Sequence, residues 1–262
     1  MLNPLITLTT DFGTSDHFVG VMKGVIYGIA PRARVVDISH EVGPFEIAEA
    51  AFTIAQAYRY FPVKTIHVAV VDPGVGSARR PLLAEMAGQY FIAPDNGLLS
   101  MVFAAEKATV RHIVTEQYFL QPLSRTFHGR DVFAPVAAYL GAGVPPSRFG
   151  PLIEDHLRLN IGQATRTGKR NWTGSVLKVD HFGNLITNLH IDEFPDVRTR
   201  PFEVNVGMQT LTRLALTFSE GTQGELFVIV GSSGFLEVAA NQASAAKVLG
   251  CGVGSPAELV LY

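Results

Sequence analysis

Near residue 165 the chain changes its rhythm, and that change limits the folds open to it. Before that point, strand-length apolar runs alternate with stretches of helical period. Residues 5–10, 35–38, 66–71 and 90–93 read as strands. Phe18, Val19, Met22, Val25, Ile26 and Ile29 fall on one helical face, with Asp16 placed to cap it and Pro31 to end it. Residues 47–60 and 131–140 read as further helices, with Asp131 capping the second. This alternation predicts an α/β domain over residues 1–165, built on a mainly parallel sheet. Residues 163–171 are polar and basic and read as a linker. Beyond them lie short strand-like runs at 174–179, 185–190, 202–206, 210–216, 226–230, 235–239 and 257–261, with no amphipathic helix. A smaller all-β, barrel-like domain over 172–262 is the expectation.

Composition narrows the function classes. Of the 262 residues 47% are hydrophobic and 17% charged, which fits a globular chain with a sizeable core. A net charge of -2 without a Lys/Arg run argues against nucleic-acid or anionic-membrane binding. There is no secretory leader pattern at the first residues and no bilayer-length apolar run. The single cysteine, Cys251, forms no internal disulfide and suits a reducing, cytoplasmic setting. The eight histidines show no metal-ligand spacing, so no metal and no cofactor are expected. Neither a Gly-x-Gly-x-x-Gly fingerprint nor a Gly-x-Ser-x-Gly elbow is present.

Four stretches carry chemistry. The apolar run 66–71 delivers Asp72 into Pro73-Gly74-Val75-Gly76, followed by Arg79 and Arg80. An acid at the carboxyl end of a strand, beside a cation, suits a reactive site; Asp-Pro-Gly is equally ordinary turn chemistry. Asp11 and Asp16 lie between the first strand and helix, where an acid can hold a ribose diol or simply shape a turn. His128 precedes a helix in a glycine-containing loop. In Asp180-His181-Phe182-Gly183-Asn184 an aromatic ring and an amide suit stacking and edge-reading of a purine, and a bulged hairpin explains the glycine as well. The turn Gly231-Ser232-Ser233-Gly234 could bring backbone donors to a ligand or serve only as a turn.

Taken in order, five segments resemble one family. They are Thr10-Asp11-Phe12-Gly13, Val71-Asp72-Pro73-Gly74-Val75-Gly76 with Arg79-Arg80, Ala93-Pro94-Asp95-Asn96-Gly97-Leu98-Leu99, Phe127-His128-Gly129-Arg130-Asp131 and Asp180-His181-Phe182-Gly183-Asn184. Together they are similar to the S-adenosyl-L-methionine (SAM) hydroxide adenosyltransferases, the adenosine-forming SAM hydrolases, to which fluorinase and chlorinase are related. The resemblance implies hydrolysis of SAM to adenosine and L-methionine by a homotrimer with its sites at subunit interfaces. It implies that Asp72, Arg79 and His128 surround the attacking water, with Asp72 and His128 sharing its proton. It places Asp11 on the ribose, Asp16 and Asp180 on the methionine, and Phe182, Asn184 and Phe218 about the purine, with Ser232 and Ser233 nearby. Phe45 falls where fluorinase has a tryptophan, and Ser233 where it has an arginine. The acid at Asp72, the histidine at 128 and the lack of fluorinase's long insertion favour water over halide. The alternatives are a SAM-dependent halogenase and a non-catalytic SAM- or nucleoside-binding protein.

Overall fold

The computed structural model describes residues 3–262, and the chain forms two units, Met1–Leu159 and Asn160–Tyr262. The first carries strands β1 (Leu5–Thr10), β2 (Arg34–Ser39), β3 (Ile66–Val70), β4 (Pro81–Met86), β5 (Gln89–Pro94), β6 (Thr109–His112) and β7 (Leu152–Ile153). Its helices are α1 (Phe18–Ile29), α2 (Ile47–Ala57), α3 (Ser100–Ala105) and α4 (Ala134–Gly141). The strands lie in the order β2-β1-β3-β5-β4-β6-β7. Strand β3 is buried on both faces, which is why it reads as a continuous apolar run. Its Ile66, Val68 and Val70 pack with α1 and α4, while Ala69 and the following Val71 pack with α2 and α3. Burying side chains of this size stabilises by roughly 1.5–3 kcal/mol each.

The expectation of a mainly parallel sheet is corrected. The ladders β1–β2, β1–β3 and β3–β5 are parallel, but β4–β5, β4–β6 and β6–β7 are antiparallel. The cause is a tight hairpin at Ala87-Gly88, both at positive φ, with Met86 opposite Gln89. It folds β4 back on β5 without a crossover helix. Two capping expectations also fail. Helix α1 begins at Phe18 with His17 as its N-cap, so Asp16 does not cap it. Asp131 lies inside a π-helical turn, Gly129–Phe133, that runs into α4.

The parallel half places the chemistry. From β1 the chain goes to β2 on one side, then crosses to β3 on the other, and Thr10 pairs with Val70. The carboxyl ends of β1 and β3 therefore lie side by side at a topological switch point, where open sheets leave a crevice.

The second unit contains β8 (Thr165–Arg166), β9 (Asn171–Val179), β10 (Leu185–His190), β11 (Phe202–Val206), β12 (Gln209–Leu211), β13 (Leu214–Ala215), β14 (Leu226–Val230), β15 (Phe235–Ala240), β16 (Pro256–Leu261) and helix α5 (Ala245–Leu249). The strands run β12-β11-β16-β9-β10-β15-β14-β13, with β8 paired to β9. The expected linker thus holds a strand, and the expected strand 210–216 is two. Those two, β12 and β13, lie at opposite edges of the path although only Thr212 and Arg213 separate them. The sheet must therefore curl until its edges approach. Among the described residues no hydrogen-bonded ladder joins them, so the curled sheet stays open. Besides its strands this unit holds α5, a five-residue helix capped by Ser244, whose side chain accepts the Lys247 N–H. Among the described residues no helix is long and apolar enough to cross a membrane.

Candidate active site

Asp72, Arg79 and His128 come together at the carboxyl end of β3. Arg79 Nε donates to Asp72 Oδ1 at 3.0 Å and its Nη2 donates to Oδ2 at 2.5 Å. The same Nη2 lies 2.7 Å from His128 Nδ1. A guanidinium has no acceptor, so Nδ1 must accept and the imidazole is the neutral Nε2–H form. Burial first, and then the Arg79 charge, pull His128 below the usual histidine range, consistent with that form. Asp72 and Arg79 are only 5% and 8% exposed, and the guanidinium lies over the Phe133 ring at 5.4 Å. Arg79 is thus the hub: acid and histidine each meet it, and no hydrogen bond joins them directly.

The turn and the histidine loop are fitted to each other. Gly76 has φ +75°, and a Cβ there would stand 2.1 Å from the Arg125 carbonyl oxygen. The histidine loop is fixed from below by Asp131, which is fully buried, accepts the Ser124 N–H at 2.8 Å and is chelated by Arg130. Asn96, in the turn after β5, donates from Nδ2 to the Val71 carbonyl at 2.8 Å and steadies the strand end that carries Asp72. Arg80 points elsewhere. It grips Asp95 and Asp155, and Asp95 also accepts the Leu157 N–H, so Arg80 anchors an extended segment.

Beside this cluster, Asp11, Phe12, Phe18, Pro44, Phe45 and Asp72 line a cleft of about 250 Å³. Asp11 Oδ2 accepts the Phe45 N–H at 2.9 Å, leaving Oδ1 free to accept. Phe45 itself is 70% exposed with φ +69°. Asp16 is exposed and does not line the cleft.

A second cavity, about 490 Å³, lies in the second unit between Phe182, Asn184, Phe218 and the segment Ala240 to Ser244. Asp180 organises its rim: Oδ1 accepts the Phe182 and Asn184 N–H groups and Oδ2 accepts Asn184 Nδ2. That leaves Asn184 Oδ1 as the free acceptor. Phe182 is 75% exposed, with His181 at 5.5 Å in a T-shaped contact, and Phe218 is about half exposed, with Phe227 tilted against it at 6.5 Å. Gly183 has φ +87° and meets Ser244, so the turn seats directly on the start of α5. Ser232 and Ser233 occupy the β14–β15 turn and are not among this cavity's lining residues. The sequence pattern did not point to Ala240, Asn241, Gln242 or Ala243, or to Phe12, Phe18 and Pro44. Gln242, a non-glycine at φ +50°, lies just after β15 and lines this cavity.

Comparison with known proteins gives a consistent picture. The family model for the SAM hydroxide adenosyltransferase N-terminal domain matches residues 6–150, and that for its C-terminal domain matches residues 174–258. A Salinispora tropica protein named (R)-S-adenosyl-L-methionine hydrolase is 38% identical over 252 residues, covering 94% of each chain. A fluorinase of an Actinoplanes species is 29% identical over 92% of each chain. The crystal structure of an uncharacterized conserved protein from Thermotoga maritima superposes with a TM-score of 0.89 at 37% identity, covering 97% of this chain and 99% of that one.

Proposed function

Because the chain belongs to the SAM hydroxide adenosyltransferase family, we propose that it hydrolyses S-adenosyl-L-methionine to adenosine and L-methionine. Water forms a bond to the ribose 5′ carbon while the carbon–sulfur bond breaks, and sulfur leaves as a neutral thioether carrying the bonding pair. One proton is released from the water. The observation that carries this reading is the Asp72–Arg79–His128 cluster beside the Asp11 cleft at the sheet's switch point.

The leaving group needs no acid, so the demand falls on the nucleophile. Free hydroxide at pH 7 would cost about 12 kcal/mol, from a water pKa of about 15.7 at about 1.4 kcal/mol per unit. Asp72 orients the water and takes its proton as attack proceeds. His128, with Nδ1 accepting from Arg79 and its ring N–H directed to the Ser124 backbone, contributes as a wall of the site and not as an acceptor of the water's proton. Arg79 holds both in place, donating to Asp72 and to His128. Asp11 Oδ1 receives a ribose hydroxyl, and Phe45 covers it. Phe182 and Phe218 sandwich the adenine, and Asn184 Oδ1 accepts from its amino group. Asp16, Asp180, Ser232 and Ser233 face the amino-acid half. The protein works as a cytoplasmic homotrimer with sites at subunit interfaces.

The test is product identification by chromatography after incubation with each sulfonium epimer of SAM, in the presence and absence of chloride and fluoride. Adenosine and methionine in equal amounts are expected, with the (R) epimer preferred as in the name of the Salinispora protein. A 5′-haloadenosine, or unchanged SAM, would overturn the reading. Asp72→Asn is expected to lower turnover at least 100-fold with SAM affinity changed by less than about fivefold.

A further inference from the structure

The loop that presents Asp72 and Arg79 is held at both feet by two residues that the steps above do not use. Strand β5 lies between β3 and β4, parallel to the first and antiparallel to the second, so residues 71–80 must cross the end of β5 to pass from one to the other. With strands about 4.8 Å apart, the feet of that loop stand roughly 10 Å apart. Between them lies the turn that leaves β5, and its first two residues are Asp95 and Asn96. Asn96 takes the first foot: Nδ2 donates to the Val71 carbonyl at 2.8 Å, while Oδ1 accepts the Leu98 N–H at 3.2 Å, so the amide has a partner on each side. Asp95 takes the second: its N–H donates to the Arg80 carbonyl at 2.8 Å, and its Oδ2 accepts Arg80 Nε at 2.9 Å and Nη2 at 2.7 Å. The Asp95 side chain is itself fixed, only 6% exposed, with Oδ1 accepting the Leu157 N–H at 2.8 Å.

Between its feet the loop is bonded to itself. The Val75 N–H donates to the Asp72 carbonyl at 3.2 Å, the Ser77 N–H and hydroxyl both donate to the Gly74 carbonyl, and the Arg79 N–H donates to Ser77 Oγ at 3.3 Å. With the Arg79–Asp72 pair these bonds make 72–79 one unit, whose placing is set where it leaves the sheet. Arg79 and Arg80 are joined by one peptide bond and their side chains diverge, the first to Asp72, the second to Asp95 and Asp155. A backbone fixed at Arg80 therefore fixes the base from which Arg79 reaches. Asp95 and Asp155 both pair with Arg80, so what that cation contributes to the site is position and not charge. We propose that Asp95 and Asn96, with Arg80, form a clasp at the neck of the reacting loop and are positioning residues for the attack of water, acting through the placing of Asp72. This rests on the reading of the protein as a SAM hydrolase. A misplacement of about 1 Å at the reacting groups can cost on the order of 100-fold in rate, so loss of one bond of the clasp is felt in turnover more than in substrate affinity.

The test is a double-mutant cycle read in adenosine release, with Asn96→Ala introduced into wild type and into Asp72→Asn. In wild type, Asn96→Ala is expected to lower kcat about 10- to 100-fold with the KM for SAM within about twofold. In Asp72→Asn the same change is expected to cost less than about twofold, because the group it positions is already gone. Arg80→Lys keeps the charge and loses the two-pronged grip on Asp95; carried through the same cycle, it tests the second foot and decides the matter if Asn96→Ala does not fold. Its expected loss in kcat is about tenfold, again only where Asp72 is present. Asn188→Ala is the control for structural damage. Asn188 is a buried amide bridge of the same kind in the second unit, with Nδ2 donating to the Gln163 carbonyl at 3.1 Å and Oδ1 accepting the Ser175 N–H at 2.8 Å. That variant should lose stability in urea and keep kcat within about twofold of wild type. An equal loss in both backgrounds, a loss confined to KM, or wild-type kcat in the folded clasp variants would overturn the proposal. If wild type releases no adenosine, the hydrolase reading falls and this proposal falls with it; if wild type is active and the cycle is additive, only the clasp falls.

Discussion

Gly76→Ala tests whether the turn after Asp72 and the histidine loop work as one fitted pair. At φ +75° an alanine carries a backbone penalty of about 1–2 kcal/mol. Its Cβ would stand 2.1 Å from the Arg125 oxygen, whereas carbon and oxygen are ordinarily no closer than about 3.3 Å, so the two segments must part by about 1.2 Å. The histidine loop cannot simply drift away, because Asp131 holds Ser124. The displacement therefore falls on the bond between Arg79 and His128 and on the placing of Asp72. A misplacement of about 1 Å can cost roughly 100-fold in rate. Gly224→Ala is the control: its φ is +79° with nothing within 4 Å of the added carbon, so it bears the backbone penalty alone. Adenosine release and urea unfolding are measured for both. Gly76→Ala is expected to lose about 100-fold in kcat and more stability than Gly224→Ala, which should keep wild-type kcat. If Gly76→Ala keeps kcat within twofold and is no less stable than the control, the fitted-pair argument is wrong.

Other outcomes follow from the same geometry. His67 is fully buried, with Nδ1 2.7 Å from Thr7 Oγ1 and Nε2 3.2 Å from Gln89 Oε1, and burial lowers it to about 4. Its folded value lies below the unfolded value of about 6.5, so acid protonates the unfolded chain first, and stability falls as pH drops from about 6.5 towards 4. The stability of wild type minus that of His67→Gln in urea unfolding should fall by about 2–3 kcal/mol between pH 7.5 and 4.5. That variant comparison is needed because Glu237, raised to about 7, contributes stability below about 4.5 that is lost as pH rises through 7. For the proposed trimer, mixing inactive Asp72→Asn subunits with inactive Asn184→Ala subunits should restore part of the adenosine release. No recovery after verified subunit exchange would argue against shared sites.

Much of the first unit was legible because its central strands β1, β3 and β5 are buried on both faces and α1 is amphipathic, two patterns a sequence displays openly. The antiparallel half was not, because its reversal rests on Ala87-Gly88, and alanine is not a residue that announces a positive φ. The residue types of the cluster were legible; the pairing was not. Adjacent Arg79 and Arg80 look alike in one dimension, yet one grips Asp72 and the other Asp95 and Asp155. Nor could the sequence show that Arg79 stands between Asp72 and His128 and donates to both. In the second unit the Phe182 and Asn184 motif was readable, whereas the wall formed by 240–244 is two alanines with Asn241, Gln242 and Ser244, a run that carries no chemical signature.

The burial of the Asp72–Arg79 pair has its own consequence. Two charges this deep pay a desolvation penalty that their attraction only roughly offsets, so stability is a weak reason for the pair to exist. Removing one partner alone strands a buried charge: Arg79→Met should cost about 3–5 kcal/mol. Replacing both, Asp72→Leu with Arg79→Met, puts apolar groups of similar size beside Phe133 and should return stability to within about 1 kcal/mol of wild type, or above it. That double variant should release no adenosine. The two measurements together separate structure from chemistry. A double variant as unstable as Arg79→Met alone would mean that the pair holds the fold. One that is stable and inactive would mean that the protein keeps two costly charges at the end of β3 for the reaction they perform.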